Sequence, residues 1–170
     1  GNAATAAKGV ITLNDTSSIS VANNVQIAES ANSNITLNIN GTSTFSQTAN
    51  AASTRVGMAT GAVGTINVNG GTGNFHRDLT LGTAGTGKLN LVSGTVNAAT
   101  TVERWLKIGD GAGGAGEINV SGGNLNLNTN TDLRFSTNGA SNGTSVVTLS
   151  GGAISGFTGN NNGVLSGASV

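Results

Sequence analysis

The sequence is poor in charge and in the residues that build most catalytic and metal sites. It has no cysteine and no proline, a single histidine, and only 8% charged residues. The absence of cysteine excludes a disulfide scaffold and a cysteine-based metal site, and one histidine leaves no ligand set for zinc. Seven acidic residues balance seven basic ones. This balance argues against nucleic acid as a partner, because a nucleic-acid surface attracts a basic excess.

Long apolar runs are also missing. No run approaches the roughly 18 residues of a membrane span, so membrane insertion is not expected. No signal peptide is present, although the opening GNAATAAKG suits a chain that begins after the cleavage of one. A net charge near zero favours association of a protein with other copies over a free monomer.

Glycine and asparagine fill much of the remaining sequence, with 28 glycines in 170 residues. Such a composition is typical of flexible, low-complexity chains. However, 36% of the residues are hydrophobic, and valine, isoleucine and leucine recur at regular spacing. A disordered chain has no reason to space its apolar residues, so we expect an ordered domain.

Alternating apolar residues mark a repeat of 23 to 29 residues along the chain. The first series of pairs is Ile11/Leu13, Leu37/Ile39, Ile66/Val68, Leu89/Leu91, Ile118/Val120 and Val147/Leu149. A second series contains 25–27, 55–57, 79–82, 106–109 and 133–136. A third apolar mark falls at Ile19, Phe45, Phe75, Val96, Leu125 and Ile154.

This repeat predicts an all-β fold, a parallel β-helix (β-solenoid) of about six coils of roughly 23–29 residues. A short alternating strand cannot bury its apolar face alone, but parallel stacking about 4.8 Å from its counterpart completes an internal column. The rival is an antiparallel sandwich, whose strands recur every 8–12 residues or so without any repeat in sequence. We expect one domain over 1–170, with a divergent first coil (1–34), regular repeats (35–152) and a partial terminal coil (153–170).

Two neighbouring units carry a resemblance to a known class of repeat. The stretches LTLGTAGTGKLNLVSGTVN and LKIGDGAGGAGEINVSGGNLN resemble the autotransporter-associated β-strand repeats and related repeats of bacterial surface and secreted proteins. The resemblance covers about Ile35 to Gly152. It implies a parallel β-helix, export across a bacterial envelope, and a stalk, adhesin or scaffold role, with no catalytic residues to carry over. Such proteins are typically longer and carry a translocating barrel, which is not expected within these 170 residues.

Charges cluster before the second series of strands. His76-Arg77-Asp78 precedes Leu79, Glu103-Arg104-Trp105 precedes Leu106, and Asn130-Thr131-Asp132 precedes Leu133. Stacking would place Arg77 beside Arg104 at one corner. One interpretation is the groove of a polysaccharide lyase or hydrolase; the other is an ion-pair network that keeps the corner solvated. We expect the second and no enzyme activity, because catalysis needs two carboxylates in one cleft and the acids lie in different units.

Trp105 is the only tryptophan. It falls at the position that Asp78 and Asp132 hold in adjacent units, so the repeat predicts that its side chain points outward. Exposed aromatic residues are often contact residues between molecules. We therefore take Trp105, together with Arg77 and Arg104, as candidates for self-association.

Two further patterns in the sequence bear on ligand binding. GDGAGGAGE contains G-x-G-x-x-G, but a strand follows it where a dinucleotide site needs a helix, and Asp110 stands alone where calcium repeats recur in tandem. No cofactor or metal is therefore expected. Asn38, Asn67, Asn90 and Asn119 hold one place in successive units and are predicted to stack as a hydrogen-bonded amide ladder. An ice-binding face would instead need rows of threonine.

The two ends of a solenoid expose unpaired strands unless a polar cap covers them. No amphipathic helix is present at either end. The first unit is apolar from Val10 and Ile11, and Val164 and Leu165 indicate another partial coil. These four residues are predicted to take part in head-to-tail self-association, which gives an open polymer when it does not close into a ring.

The sequence supports two functions. The first is a bacterial extracellular structural protein, a β-solenoid subunit that associates end to end into a surface filament. The alternative is a rigid passenger or adhesin segment of an autotransporter-like protein that binds a host surface or a glycan. A third function, a carbohydrate-active enzyme, is not expected because acids are sparse.

Overall fold

The computed structural model describes residues 6–49, 51–100, 104–127, 131–135 and 143–156. Within these ranges the regular elements are strands, and there is no helix. In chain order the strands are β1 (Lys8–Leu13), β2 (Ser18–Val21), β3 (Val25–Ile27), β4 (Asn34–Asn40), β5 (Thr44–Gln47), β6 (Thr54–Val56), β7 (Val63–Phe75), β8 (Leu79–Leu81), β9 (Thr86–Ala98), β10 (Arg104–Ile108), β11 (Ala115–Val120), β12 (Asn124–Leu127), β13 (Thr131–Phe135), β14 (Thr144–Leu149) and β15 (Ala153–Ser155).

The strands stack on three faces of a coil, and each pairs in parallel with its counterpart in the next coil. Face one has the order β1-β4-β7-β9-β11-β14. Face two contains β2, β5, the second halves of β7 and β9, β12 and β15. Face three has the order β3-β6-β8-β10-β13. The described residues thus form about five turns of a parallel β-solenoid, which confirms the predicted fold and rejects the antiparallel sandwich.

The register of face one is the one that the apolar pairs predict. Ile11, Leu37, Ile66, Leu89, Ile118 and Val147 are successive partners in a single column. On face three, Leu79, Leu106 and Leu133 likewise form one column. Coils of unequal length keep this register, and the pairing of β7 with β4 and β9 shifts only where face one turns into face two, near Asn40 and Asn69.

The third apolar series was partly wrong. Phe45 pairs with Gly73 and not with Phe75, which lies two residues further along opposite Gln47. A shift of two residues keeps a side chain on the same side of a strand, so Phe75 still points inward. Gly73 leaves the space that its ring fills, and the rings of Phe45 and Phe75 lie 5.8 Å apart.

The core is a continuous apolar column that runs the length of the described coils. Its side chains come from all three faces, and Ile39, Ile66, Phe75, Leu89 and Leu106 are among those fully buried. Faces one and three meet so closely that only glycine, which has no side chain, fits at the contact. Gly64, Gly87 and Gly116 are consecutive partners on face one, and a Cβ at each would lie within 2.6 Å of backbone atoms of face three or of the corner that follows it.

Within the described part of the chain, no helix is long and apolar enough to cross a membrane.

Candidate functional site

The first candidate surface is the pair of open ends of the solenoid. Strand β1 is one edge of face one and β14 is the other. Ile11 is 51% exposed although its partner Leu37 is buried, and Leu149 is 54% exposed although its partner Val120 is buried. Inward-pointing apolar side chains are thus uncovered at both ends because no further described coil lies over them.

The end at the first coil contains an apolar cavity of about 270 Å³. It is lined by side chains that would be core residues in an inner coil, among them Ile11, Ile19, Val25, Ile35 and Phe45. Val10 lies on the outward side of β1 and is 66% exposed. The structure therefore brings the predicted residues Val10 and Ile11 to an open end, whereas Val164 and Leu165 lie outside the described residues.

Trp105 lies on the outward side of face three, as the repeat predicts, and packs against two cations. The Lys107 ammonium lies 4.8 Å from the ring centroid and the Arg134 guanidinium 4.3 Å from it. Its backbone N–H donates a hydrogen bond of 3.2 Å to Oδ1 of Asp78. These contacts hold the ring in place, since a cation over an aromatic face is attracted by the ring quadrupole.

Arg77 and Arg104 occupy the same place in successive coils. Leu79 pairs with Leu106, and each arginine lies two residues before its leucine. Nη1 of Arg77 donates a 3.0 Å hydrogen bond to the carbonyl of Ala51, while its Nε is buried without a partner. The side chain of Arg104 and all of Glu103 lie outside the described residues, so the predicted contact between Arg77 and Arg104 stays a prediction.

The described ion pairs lie away from that corner. Nζ of Lys88 lies 2.8 Å from Oε2 of Glu117 across β9 and β11 on face one. Nζ of Lys107 lies 3.3 Å from Oδ2 of Asp110 on face three. On the same face, Lys107 is the partner of Arg134 in the pairing of β10 with β13.

The predicted amide ladder on face one is confirmed. Nδ2 of Asn67 donates to Asn38 at 2.9 Å, Nδ2 of Asn90 to Asn67 at 2.8 Å, and Nδ2 of Asn119 to Asn90 at 3.0 Å. Each amide donates toward the preceding coil. The series ends at the first coil, where Nδ2 of Asn38 donates to Oγ1 of Thr12. The ladder is therefore polar along the solenoid axis.

Sequence reasoning missed a second ladder on face two. It contains Asn74, Asn97 and Asn126, with Ser46 as the acceptor at one end and Ser155 as a donor at the other. The signal was present, because these asparagines recur at the same 23 and 29 residue steps as the first ladder. The two ladders occupy amide groups that a water or ice surface would otherwise contact.

Substituting Asn90 with aspartate is expected to destabilise the fold by about 1–3 kcal/mol. The carboxylate cannot donate to Oδ1 of Asn67, which then faces an oxygen at the distance of the lost 2.8 Å hydrogen bond. Asn34→Asp is the matched control, because Asn34 is exposed on face one and makes the same change of charge. Equal urea midpoints for the two variants would show that the ladder contributes no stability.

Sequence reasoning also missed a polar trough on the outward side of face three, about 260 Å³ in volume. Thr80 forms its floor and is 5% exposed. Thr80 pairs with Arg55 of β6 on one side and with Lys107 of β10 on the other, and both line the trough. The trough exists because a short threonine lies between two long side chains, and that arrangement is visible only after the coils are stacked.

The described residues contain no group of three or more His, Asp or Glu side chains that could hold a metal ion. No family model, curated protein or solved structure matches this chain.

Proposed function

We propose that the protein is a structural subunit that stacks end to end on further copies of itself, to build a filament on the outside of a bacterial cell. The observation that carries the proposal is the pair of open ends. Ile11 and Leu149 are half exposed, although the partners of each in the adjacent coil are buried. A second copy placed head to tail would bury both.

Parallel strands make such stacking geometrically simple. An edge strand offers unpaired N–H and C=O groups to any strand of matching direction. All described pairings are parallel and the chain direction is constant from coil to coil, so β14 of one copy and β1 of the next have the required directions. The amide ladder has the same polarity throughout, which favours head-to-tail over head-to-head contact.

The described edge strands of faces one and two carry little of the usual protection against strand addition. Natural edge strands are commonly blocked by charged residues, prolines or covering segments. Residues 143–156, which form β14 and β15, contain no charged residue and no proline. Strand β1 carries one charge, at Lys8. The edges β1 and β14 of face one are therefore suited to pairing, with the apolar cavity at the first coil as the place where side chains of the next copy enter.

The proposed bacterial surface location rests on the resemblance to autotransporter-associated repeats, and the proposed scaffold role without enzyme activity or cofactor rests on the same resemblance. Trp105, Arg77 and Arg104 lie on the side of the solenoid and away from its ends, so we assign them to lateral contacts between filaments. The alternative function, a rigid passenger or adhesin segment, differs in one measurable respect, since it needs no contact between copies.

Negative-stain electron microscopy of the purified chain tests the proposal. We expect long, uniform fibres for the wild type and discrete short particles for Leu149→Asp, because the new carboxylate would be buried at each junction without a partner. Val146→Lys is the matched control: it lies on the same strand but points outward opposite Glu117, so fibres should persist.

If the wild type forms discrete particles at high concentration, the filament proposal is refuted and the adhesin segment remains as the function. Fibres that form equally well from Leu149→Asp would show that the copies associate through their sides and not their ends.

A further inference from the structure

The trough on face three lies on the side of the solenoid, so the proposed stacking does not use it. Its walls come from three successive coils. Arg55 and Met58 lie on one side, Lys107 and Asp110 on the other, and Asp78 and Thr83 belong to the coil of the floor. Because neighbouring strands are about 4.8 Å apart, the two walls are separated by roughly 10 Å. That width and a volume near 260 Å³ suit a small polar molecule.

Several groups in the trough are already satisfied by the protein. Lys107 and Asp110 neutralise each other at 3.3 Å, with side chains only 19% and 17% exposed. Lys107 also lies over the ring of Trp105. One oxygen of Asp78 accepts the backbone N–H of Trp105. These contacts fix the far wall and leave it close to neutral.

Other groups in the trough have hydrogen-bonding capacity that the protein does not use. The Oγ1 of Thr83 is buried and has no hydrogen-bond partner, which is rare for a buried polar atom and calls for an explanation. The guanidinium of Arg55 is on an exposed side chain and has no acidic neighbour among the described ion pairs. Asp78 has a second oxygen that can accept from a hydroxyl group.

We propose that this trough binds a hexuronic acid, a sugar ring that carries one carboxylate. Arg55 holds the carboxylate, since the guanidinium fork matches a carboxylate with two parallel hydrogen bonds. The second oxygen of Asp78 accepts a hydrogen bond from one ring hydroxyl. The hydroxyl of Thr83 forms a hydrogen bond with another ring hydroxyl. The Met58 side chain offers an apolar wall to the C–H face of the ring.

The charges of the trough favour this ligand over other small anions. Two carboxylates, Asp78 and Asp110, line the trough and repel a dianion such as phosphate. A neutral sugar would leave Arg55 without a counter-charge. A simple carboxylate such as acetate would leave the Thr83 hydroxyl and Asp78 without partners. A monoanion with several hydroxyls gives a partner to each of Arg55, Asp78 and Thr83.

Titration with D-galacturonate, followed by amide shifts in ¹H–¹⁵N NMR spectra, tests the assignment. D-galactose is the matched probe, because it differs only in having CH₂OH in place of the carboxylate. We expect shifts at Thr80, Thr83 and Asp110 with a Kd in the millimolar range. Galactose should bind at least about 10-fold more weakly, as expected for the loss of a charge-assisted hydrogen bond.

Variants separate the site from its surroundings. Arg55→Gln should weaken galacturonate binding by about 10-fold or more. Thr83→Val should weaken it several-fold while leaving the fold intact, because the hydroxyl that it removes has no protein partner. Lys88→Gln is the control: it removes a cation from face one and should leave the Kd unchanged. All titrations are made in the Leu149→Asp background, which is expected to stay in short particles, so that the result is independent of assembly.

Four results would overturn the proposal. The first is equal affinity for galactose and galacturonate, the second is binding that Arg55→Gln leaves unchanged, and the third is the absence of shifts at the trough. Acetate that binds as tightly as galacturonate would show a plain carboxylate site and would remove the sugar from the assignment. None of these results bears on whether the ends of the solenoid stack.

Discussion

Substituting Gly87 with alanine is expected to lower the free energy of unfolding by about 3 kcal/mol or more, because the overpacked atom meets backbone. An added Cβ would lie 2.3 Å from the Gly82 nitrogen, 2.4 Å from the Val56 oxygen and 2.8 Å from the Leu81 carbonyl carbon. Backbone in a stacked coil cannot move aside without breaking the ladder above and below it. Faces one and three would have to separate, and thermal or urea unfolding would measure the loss.

Gly9→Ala is the matched control for this prediction. Gly9 lies in the same column of face one, but its added Cβ would meet only the Cδ1 atom of Ile35 at 3.4 Å. This is an ordinary contact with a flexible side chain. We expect Gly9→Ala to be neutral or to stabilise the protein by up to about 1 kcal/mol, because alanine restricts the unfolded chain. Similar losses from both substitutions would refute close contact between faces one and three as the cause.

Face one also shows how much of the fold could be predicted from the sequence. The apolar pairs of face one recur every 23 to 29 residues, and parallel stacking is the arrangement that gives every pair the same surroundings. The pairs therefore predict the register, as Ile66 and Leu89 show. Glycines appear in the sequence as turn formers, however, and the role of Gly87 between two faces depends on distances that only the assembled coil defines.

Phe75 shows a second limit of the sequence pattern. In the sequence it has the spacing of Phe45, but in the structure Gly73 takes the place opposite Phe45. A single aromatic ring can fill the space of an inward position from two residues away when that position is a glycine. Apolar spacing thus predicts the side of the strand on which a residue lies more reliably than it predicts the residue's partner.

The candidate sites were predictable to different degrees for related reasons. Val10 and Ile11 could be placed at an open end because an end is a property of the repeat itself. The trough on face three could not, because Arg55, Thr80 and Lys107 are unremarkable one by one. Their significance comes from their adjacency across three coils, and from the unsatisfied hydroxyl of Thr83 beside them.

Two leucines in one column of the core allow stability and assembly to be separated. Leu91 and Leu149 are joined through Val120 on face one. Leu91 is fully buried and Leu149 is 54% exposed. Leu91→Ala should cost about 2–5 kcal/mol in the free energy of unfolding, the usual range for a cavity in a packed core. Leu149→Ala should cost less than about 1 kcal/mol in the isolated subunit, as for other surface substitutions.

The order of these two effects should reverse when assembly is measured. If copies stack head to tail, Leu149 becomes a core residue at every junction, and its truncation raises the subunit concentration needed for fibres. Leu91 stays in the interior of one subunit, so its truncation weakens folding without altering the junction surface. Sedimentation of fibres and urea unfolding of dilute subunits measure the two quantities separately. A Leu149→Ala variant that assembles at the wild-type concentration would contradict burial of this leucine between copies, and with it the continuation of the apolar column from one subunit to the next.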